Sequence, residues 1–324
     1  MNKAQEIQDS FEAYLQGLAY SRQPDALYAP IRYVLSLGGK RIRPTLLVMA
    51  YDMYADDMKG AFRTAAGMEI FHNFTLLHDD LMDRASVRRG NPTVHVKWNE
   101  NTAILSGDGM LVLAYRFLSD TAPANLKTVL DIANDTFTEI MEGQQYDMDF
   151  ETRDNVTEQE YIEMIRLKTS VLLAACLKIG AVLGGASDRD ACLLYEFGEK
   201  LGLAFQLQDD LLDVYGDPAV FGKKIGGDIL CNKKTYLYIN AGLLADERQK
   251  AELDRWAVYD GNDPESKIAG VRAVYDEVGV KALSETLIRD LFAQAQEKLD
   301  KVSLSEDRKK VLRDYSNSLM NRVL

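Results

Sequence analysis

Apolar residues return every three to four positions through almost the whole chain, and no stretch shows the apolar–polar alternation of a half-buried strand. Ile7, Phe11, Tyr14, Leu15 and Leu18 form one such stripe; Leu193, Leu194, Phe197, Leu201 and Phe205 form another. That spacing places side chains on one face of a helix and none other of the regular structures. Breakers punctuate the pattern at Pro24, Pro30, Pro44, "RRGNP" (88–92), Pro123, "GGASD" (184–188), "YGDP" (215–218) and "DGNDP" (260–264). The expectation is an all-α protein of about a dozen helices joined by short turns. With no fixed-period repeat and no Pro/Ser linker, residues 1–324 read as a single domain. From about residue 245 the sequence is more charged, which suggests smaller, more exposed helices.

A chain of 324 residues, 47% of them hydrophobic, can bury one large core or two smaller ones. Its net charge of −12 argues against nucleic acid, because backbone phosphates reward a basic face. A small anionic ligand needs only a local basic pocket. The three cysteines, Cys176, Cys192 and Cys231, have no paired spacing, which fits a reducing compartment. The segment "MNKAQEIQDSFEAYLQ" carries acids and amides where a signal peptide has an apolar core, so the expected location is cytoplasmic. "SVLLAACLKIGAVLGGAS" (170–187) is the most membrane-like stretch. Lys178 near its centre favours a buried core helix over a transmembrane segment.

The sharpest chemical signal is a repeated acidic motif. Asp79 and Asp83, in "FTLLHDDLMDRASVRRG", are four apart and so share one helix face; Asp80 points about 100° away. "LAFQLQDDLLDVYGD" repeats the spacing with Asp209, Asp210 and Asp213. Carboxylates at i and i+4 repel each other, so something cationic must offset them. Two such helix ends facing one another would make a hard-oxygen site for Mg²⁺, which binds one or two carboxylates together with substrate phosphates.

The basic residues cluster as well. "GGKRIRP" (38–44) carries Lys40, Arg41 and Arg43; "RRG" carries Arg88 and Arg89; "FGKKIGGDILCNKKT" carries Lys223, Lys224, Lys233 and Lys234. Each cluster sits at a glycine-containing turn. Glycine lets backbone approach a ligand, and the guanidinium fork matches phosphate oxygens. His72 lies two turns before Asp79 on the same face and could donate to a phosphate, whereas His78 and His95 read as packing contacts. Lys168 and Thr169, in "RLKTS", interrupt an apolar helical segment, and a buried lysine wants an anionic or carbonyl partner. Gln206 places an amide on the face of Asp209.

From "GGKRIRP" through "DDLMD", "RRG", the "KT" pair and "FQLQDDLLD" to "NKKT", the chain resembles the trans-prenyltransferases, or polyprenyl diphosphate synthases. No single motif is specific; the combination is. The resemblance implies the isoprenoid synthase fold, a helical bundle around a central active-site cavity, and a homodimer. It implies three Mg²⁺ ions bridging an allylic diphosphate (dimethylallyl, geranyl or farnesyl) to Asp79, Asp83 and Asp209. It assigns Arg88, Lys168, Thr169, Gln206, Lys224 and Lys233 to the allylic substrate, and Lys40, Arg43, His72 and Arg89 to isopentenyl diphosphate. Asp80, Asp147, Asp210 and Asp213 would support these groups from behind. A terpene cyclase would share one DDxxD but carry a different second metal motif, and a noncatalytic subunit would lose its aspartates. The implied reaction is head-to-tail elongation. Phe74, five residues before Asp79, with Thr75 and Phe71, would line the growing chain's path. An aromatic there resembles enzymes of twenty-carbon products, so geranylgeranyl diphosphate is expected, with farnesyl diphosphate as the alternative.

Overall fold

The computed structural model describes residues 3–18, 20, 22–217, 225–259, 261 and 263–321. Lys223 and Lys224 lie outside the described residues. Helices dominate throughout. The first part of the chain forms α1 (Lys3–Gln16), α2 (Asp25–Ser36), α3 (Ile42–Asp52), α4 (Phe62–Met82), α5 (Val94–Lys97) and α6 (Glu100–Ser119). Then come α7 (Pro123–Thr152), α8 (Glu158–Ile165), α9 (Val171–Gly184) and α10 (Asp188–Tyr215). The shorter α11 (Gly227–Leu230), α12 (Tyr236–Leu244) and α13 (Glu247–Ala257) precede α14 (Pro264–Val278), α15 (Val280–Asp300) and α16 (Glu306–Met320). Between α8 and α9, residues Arg166–Ser170 form a π-helical turn.

The residues group into two compact units. One comprises Met1–Asn134, Ala175–Cys192 and Ser303–Leu312; the other comprises Asp135–Ala174, Leu193–Val302 and Arg313–Leu324. In the first, α4 packs along α6 and against α3. Helix α4 is apolar almost all round: Ala65, Ala66, Met68, Ile70 and Phe71 are fully buried, as expected of a central helix. Gly180 and Gly184, one turn apart on α9, lie against α3. A Cβ at Gly180 would meet the Leu47 carbonyl oxygen at 2.1 Å. Only a hydrogen there permits the approach. The stretch Glu158–Gly184 is long and apolar enough to cross a membrane, but 67% of its most apolar window is buried within the protein. That agrees with a core helix.

The second unit has its own core, in which Tyr161, Ile165, Leu207, Leu211, Leu237 and Tyr275 are buried together. Local signals set its helix starts. Thr157 and Glu160 form a reciprocal capping box at α8, as do Asp246 and Gln249 at α13. Gly279, at φ 77°, closes α14 and opens α15.

Three details differ from the sequence expectation. Pro30 does not end a helix but lies inside α2, at the loss of one main-chain bond. "RRGNP" folds into a two-residue antiparallel ladder, Val87–Arg88 with Asn91–Pro92, too short to give alternation. The "KT" segment is not plain α-helix, because one extra residue widens the turn.

Candidate active site

The first acidic motif ends α4. Asp83 is the residue that closes the helix, its N–H donating to the Asp79 carbonyl at 2.9 Å, and Arg84 at φ 52° turns the chain away. Asp79 and Asp83 therefore lie one turn apart, Asp79 half-buried and Asp83 exposed. Asp80 is turned inward and only 5% exposed. Its Oδ1 accepts from Arg88 Nε at 2.7 Å, and an Arg88 terminal nitrogen lies 3.5 Å from Asp79 Oδ2. Burial raises the Asp80 pKa, and the Arg88 guanidinium limits the rise.

The same unit gathers most of the isopentenyl-assigned groups. Arg43 lies 3.1 Å from His72 Nε2. Burial, with Arg43 adding to it, pushes the His72 pKa well below its usual value, so the ring is neutral. Arg89 donates to the Gly38 carbonyl and lies over Gly39, where a Cβ would sit 2.8 Å from Cζ. Gly39, at φ 136°, thus supplies both the backbone shape and the space. Lys40 is exposed on the adjoining turn. Arg41, grouped with these by sequence, goes elsewhere. It is 6% exposed and bonds Glu69 at 2.7 Å, Glu12 at 2.9 Å and the Leu35 carbonyl at 2.8 Å. Its positive charge is consumed in holding helices together, because a buried guanidinium requires carboxylate partners.

Phe74 is buried, with its ring 5.5 Å from Phe71 and 4.8 Å from His78. Thr75 turns its hydroxyl onto the His72 carbonyl at 2.8 Å. His78 reaches Gly107 of α6, where a Cβ would be 2.1 Å from Nε2.

The second unit carries the second motif and the "KT" pair. Lys168 Nζ lies 2.6 Å from Asp147 Oδ2, and Lys233 Nζ lies 4.0 Å from Asp147 Oδ1. Burial alone would raise the Asp147 pKa, but the two ammonium groups outweigh it and hold it low. Thr169 donates to Gln206 Oε1 at 3.0 Å, and Gln206 Nε2 donates to Asp210 Oδ1 at 2.9 Å. The Asp210 Oδ2 accepts from Tyr161. Two glycines let neighbouring helices reach the π-helical turn: a Cβ at Gly143 would meet Lys168 N at 2.4 Å, and one at Gly202 would meet Ser170 Cα at 2.6 Å.

Asp213 Oδ2 accepts from the Asp228 N–H at 2.9 Å. Burial pushes Asp210 up to about 6 and, with repulsion from Asp210, Asp228 up to about 7. A cluster this reluctant to hold all its negative charge, with only oxygen donors, fits a divalent cation such as Mg²⁺. Among the described residues no three His, Cys, Asp or Glu side chains converge to hold an ion unaided. Mg²⁺ does not need them to, since phosphate and water complete its shell.

Sequence reasoning missed Tyr161, Asp228, Gly143 and Gly202. Tyr161 stands seven residues before Lys168 and Asp228 follows a glycine pair, which are the only local hints.

A model of the polyprenyl synthetase family matches residues 24–278. Geranylgeranyl diphosphate synthase of Methanosarcina mazei is 46% identical over 232 residues, 71% of this chain and 72% of its own length. Geranylfarnesyl diphosphate synthase of Natronomonas pharaonis is 36% identical over 327 residues, 93% and 91% of the two chains. A crystal structure of a geranylgeranyl pyrophosphate synthase matches with a TM-score of 0.94 at 41% identity, over 100% of both chains. The chain belongs to the polyprenyl synthetase family and is an enzyme that elongates prenyl chains.

Proposed function

We propose that the protein condenses isopentenyl diphosphate with an allylic diphosphate and makes geranylgeranyl diphosphate. The observation that carries this is the sorting of charged groups within one unit: paired carboxylates on one helix end with Arg88 beside them, Arg43 beside His72, and Arg89 on the glycine turn that bears Lys40. Asp79, Asp83 and Asp209 are the carboxylates suited to Mg²⁺, three ions being the family's pattern. When bound, Mg²⁺ supplies charge neutralisation at the leaving diphosphate.

The remaining work falls to the chain's own groups. Arg88, Lys168 and Lys233 bind the allylic diphosphate and offset the charge that grows on it as its C–O bond breaks. Lys224, outside the described residues, belongs to the same assignment. Lys40, Arg43 and Arg89 hold the diphosphate of isopentenyl diphosphate. Neutral His72 donates one ring N–H to it without adding charge. Two fixed diphosphates give the double bond and the cation the orientation their union needs. Thr169 and Gln206 present oxygens to the cation. The final proton goes to the released diphosphate, because Asp147, tied to Lys168 and held low in pKa, is a poor base. Asp147→Asn should then slow ionisation; accumulation of an undeprotonated intermediate would assign the proton to Asp147 instead.

Product length is assigned to Phe74, with Phe71 and Thr75 beside it. Phe74→Ala should shift the product beyond twenty carbons on chromatography, and an unchanged product would place the stop elsewhere. A relative named geranylfarnesyl diphosphate synthase is 36% identical, which makes a longer product the result to look for in that variant. Farnesyl diphosphate is the alternative outcome of the same assay.

Residues 1–324 form one functional domain in this reading, because the motifs assigned to the reaction run from "GGKRIRP" to "NKKT" without a linker. A homodimer fits Ile104, Leu105 and Val112 of α6, which are 47%, 61% and 70% exposed. Light scattering of the purified protein and of Val112→Asp tests it. Three free thiols suit the cytoplasm, which cell fractionation would check.

A further inference from the structure

We infer that Tyr161 is a positioning residue: acting through Asp210 and Gln206, it fixes the direction in which the Thr169 hydroxyl points. This rests on the assignment of Thr169 to the allylic cation. The four side chains form one continuous chain of hydrogen bonds within the second unit. Its direction follows from chemistry. An ionised carboxylate only accepts, so both groups resting on Asp210 must donate, the Tyr161 hydroxyl to Oδ2 and the Gln206 amide nitrogen to Oδ1. With its NH₂ turned to Asp210, Gln206 can offer only oxygen to Thr169. The Thr169 proton must therefore point at Gln206, 3.0 Å away. The lone pairs of Thr169 Oγ1 are left facing elsewhere, with the negative end of the hydroxyl dipole turned outward. A preorganised dipole of that sign is what a growing positive charge requires, and it needs no reorientation during reaction. Were the amide reversed, Thr169 would accept from it and its own proton would project toward the cation.

Tyr161 makes the arrangement hard to reverse. It is 1% exposed and its ring belongs to the unit's core, so the phenol cannot turn to water without leaving a buried polar atom unpaired. Tyr161 and Thr169 also belong to one stretch of chain, α8 followed by the π-helical turn. That stretch meets α10 at two points eight residues apart, Tyr161 on Asp210 and Thr169 on Gln206. Two contacts fix its rotation as well as its distance. Asp147 does the equivalent for the neighbouring Lys168, so each member of the "KT" pair leans on its own carboxylate.

The test is a double-mutant cycle read by single-turnover rates with geranyl diphosphate, isopentenyl diphosphate and Mg²⁺. Thr169→Val should slow turnover on the order of a hundredfold, as for loss of one preorganised group. Tyr161→Phe should slow it about tenfold, the worth of one hydrogen bond to a charged group, with both KM values within about twofold of wild type. The double variant should be slower than Thr169→Val by well under the tenfold of Tyr161→Phe, because only the Gln206 oxygen remains to orient. Losses that multiply, or a Tyr161→Phe effect confined to KM, would overturn the role of Tyr161. A wild-type rate in Thr169→Val would instead overturn the assignment of Thr169, and the relay with it. Should Tyr161→Phe fail to fold by circular dichroism, Asp210→Asn enters the same cycle with the same two outcomes.

Discussion

The two DDxxD motifs are spelled alike and are surrounded differently. In the first, the middle acid, Asp80, is buried against a cation, Arg88, which also reaches Asp79. In the second, the middle acid, Asp210, is buried against two neutral donors, Tyr161 and Gln206. The first cluster thus carries its own counter-charge. In the second, burial raises Asp210 to about 6 and Asp228 to about 7, and the Lys233 ammonium offsets only part of that rise. An identical motif can therefore seat its middle acid on a guanidinium or on neutral donors, according to what the neighbouring helices offer it.

The largest expected effect tests what the motifs share. Asp79→Ala and Asp209→Ala should each lower kcat at least about a thousandfold, if each carboxylate holds Mg²⁺ at the leaving diphosphate as proposed. Melting temperatures should stay near wild type, because both side chains are only half-buried. Unfolding of either variant would make that carboxylate structural.

Next in size is the demand for close helix approach. A Cβ at Gly143 meets backbone, the Lys168 nitrogen, whereas one at Gly107 meets only the tip of the His78 side chain. Gly143→Ala should destabilise by about 1–3 kcal/mol in denaturant titration, because main chain cannot step aside. Gly107→Ala should be milder. Equal losses would mean that the π-helical turn yields as readily as a side chain.

A smaller effect distinguishes the charge balance directly. The folded protein binds protons at Asp210 and Asp228 more tightly than the unfolded chain, whose carboxyls titrate near 3.8. The stability they contribute is complete below that value and lost as pH rises through about 6 to 7. In chelator, going from pH 7.5 to 5.5 should therefore raise the melting temperature by about 2–5 °C. Mg²⁺ should narrow the gap by neutralising the same charge. Asp210→Asn should flatten the dependence more than Asp80→Asn does, because Arg88 already offsets Asp80. The reverse order would mean that Arg88 does not balance the first motif.

Much of this was legible in the sequence. Helical periodicity is a local property, and the i, i+4 aspartates share a face in any helix that contains them. The apolar run at 170–187 read as core, and its glycines meet α3 as a core helix requires. Arg43 and His72, 29 positions apart, do meet, while Arg89 rests on the Gly38 carbonyl. Arg41 shows the limit. Its sequence neighbourhood matches that of Lys40 and Arg43, and nothing local reveals that Glu12 and Glu69 wait for it.

The sequence by itself determined the helices, the pairing of the carboxylates and the residue types for diphosphate chemistry. These follow from covalent spacing and the helix repeat. Only the tertiary structure decided which charges are satisfied internally and which stay available. It buried Arg41, gave Asp80 a cation and Asp210 a phenol, and opened the "KT" helix by one residue between two glycines. Those outcomes depend on which groups distant in the chain arrive within about 3 Å, the reach of a hydrogen bond, and no local pattern encodes that.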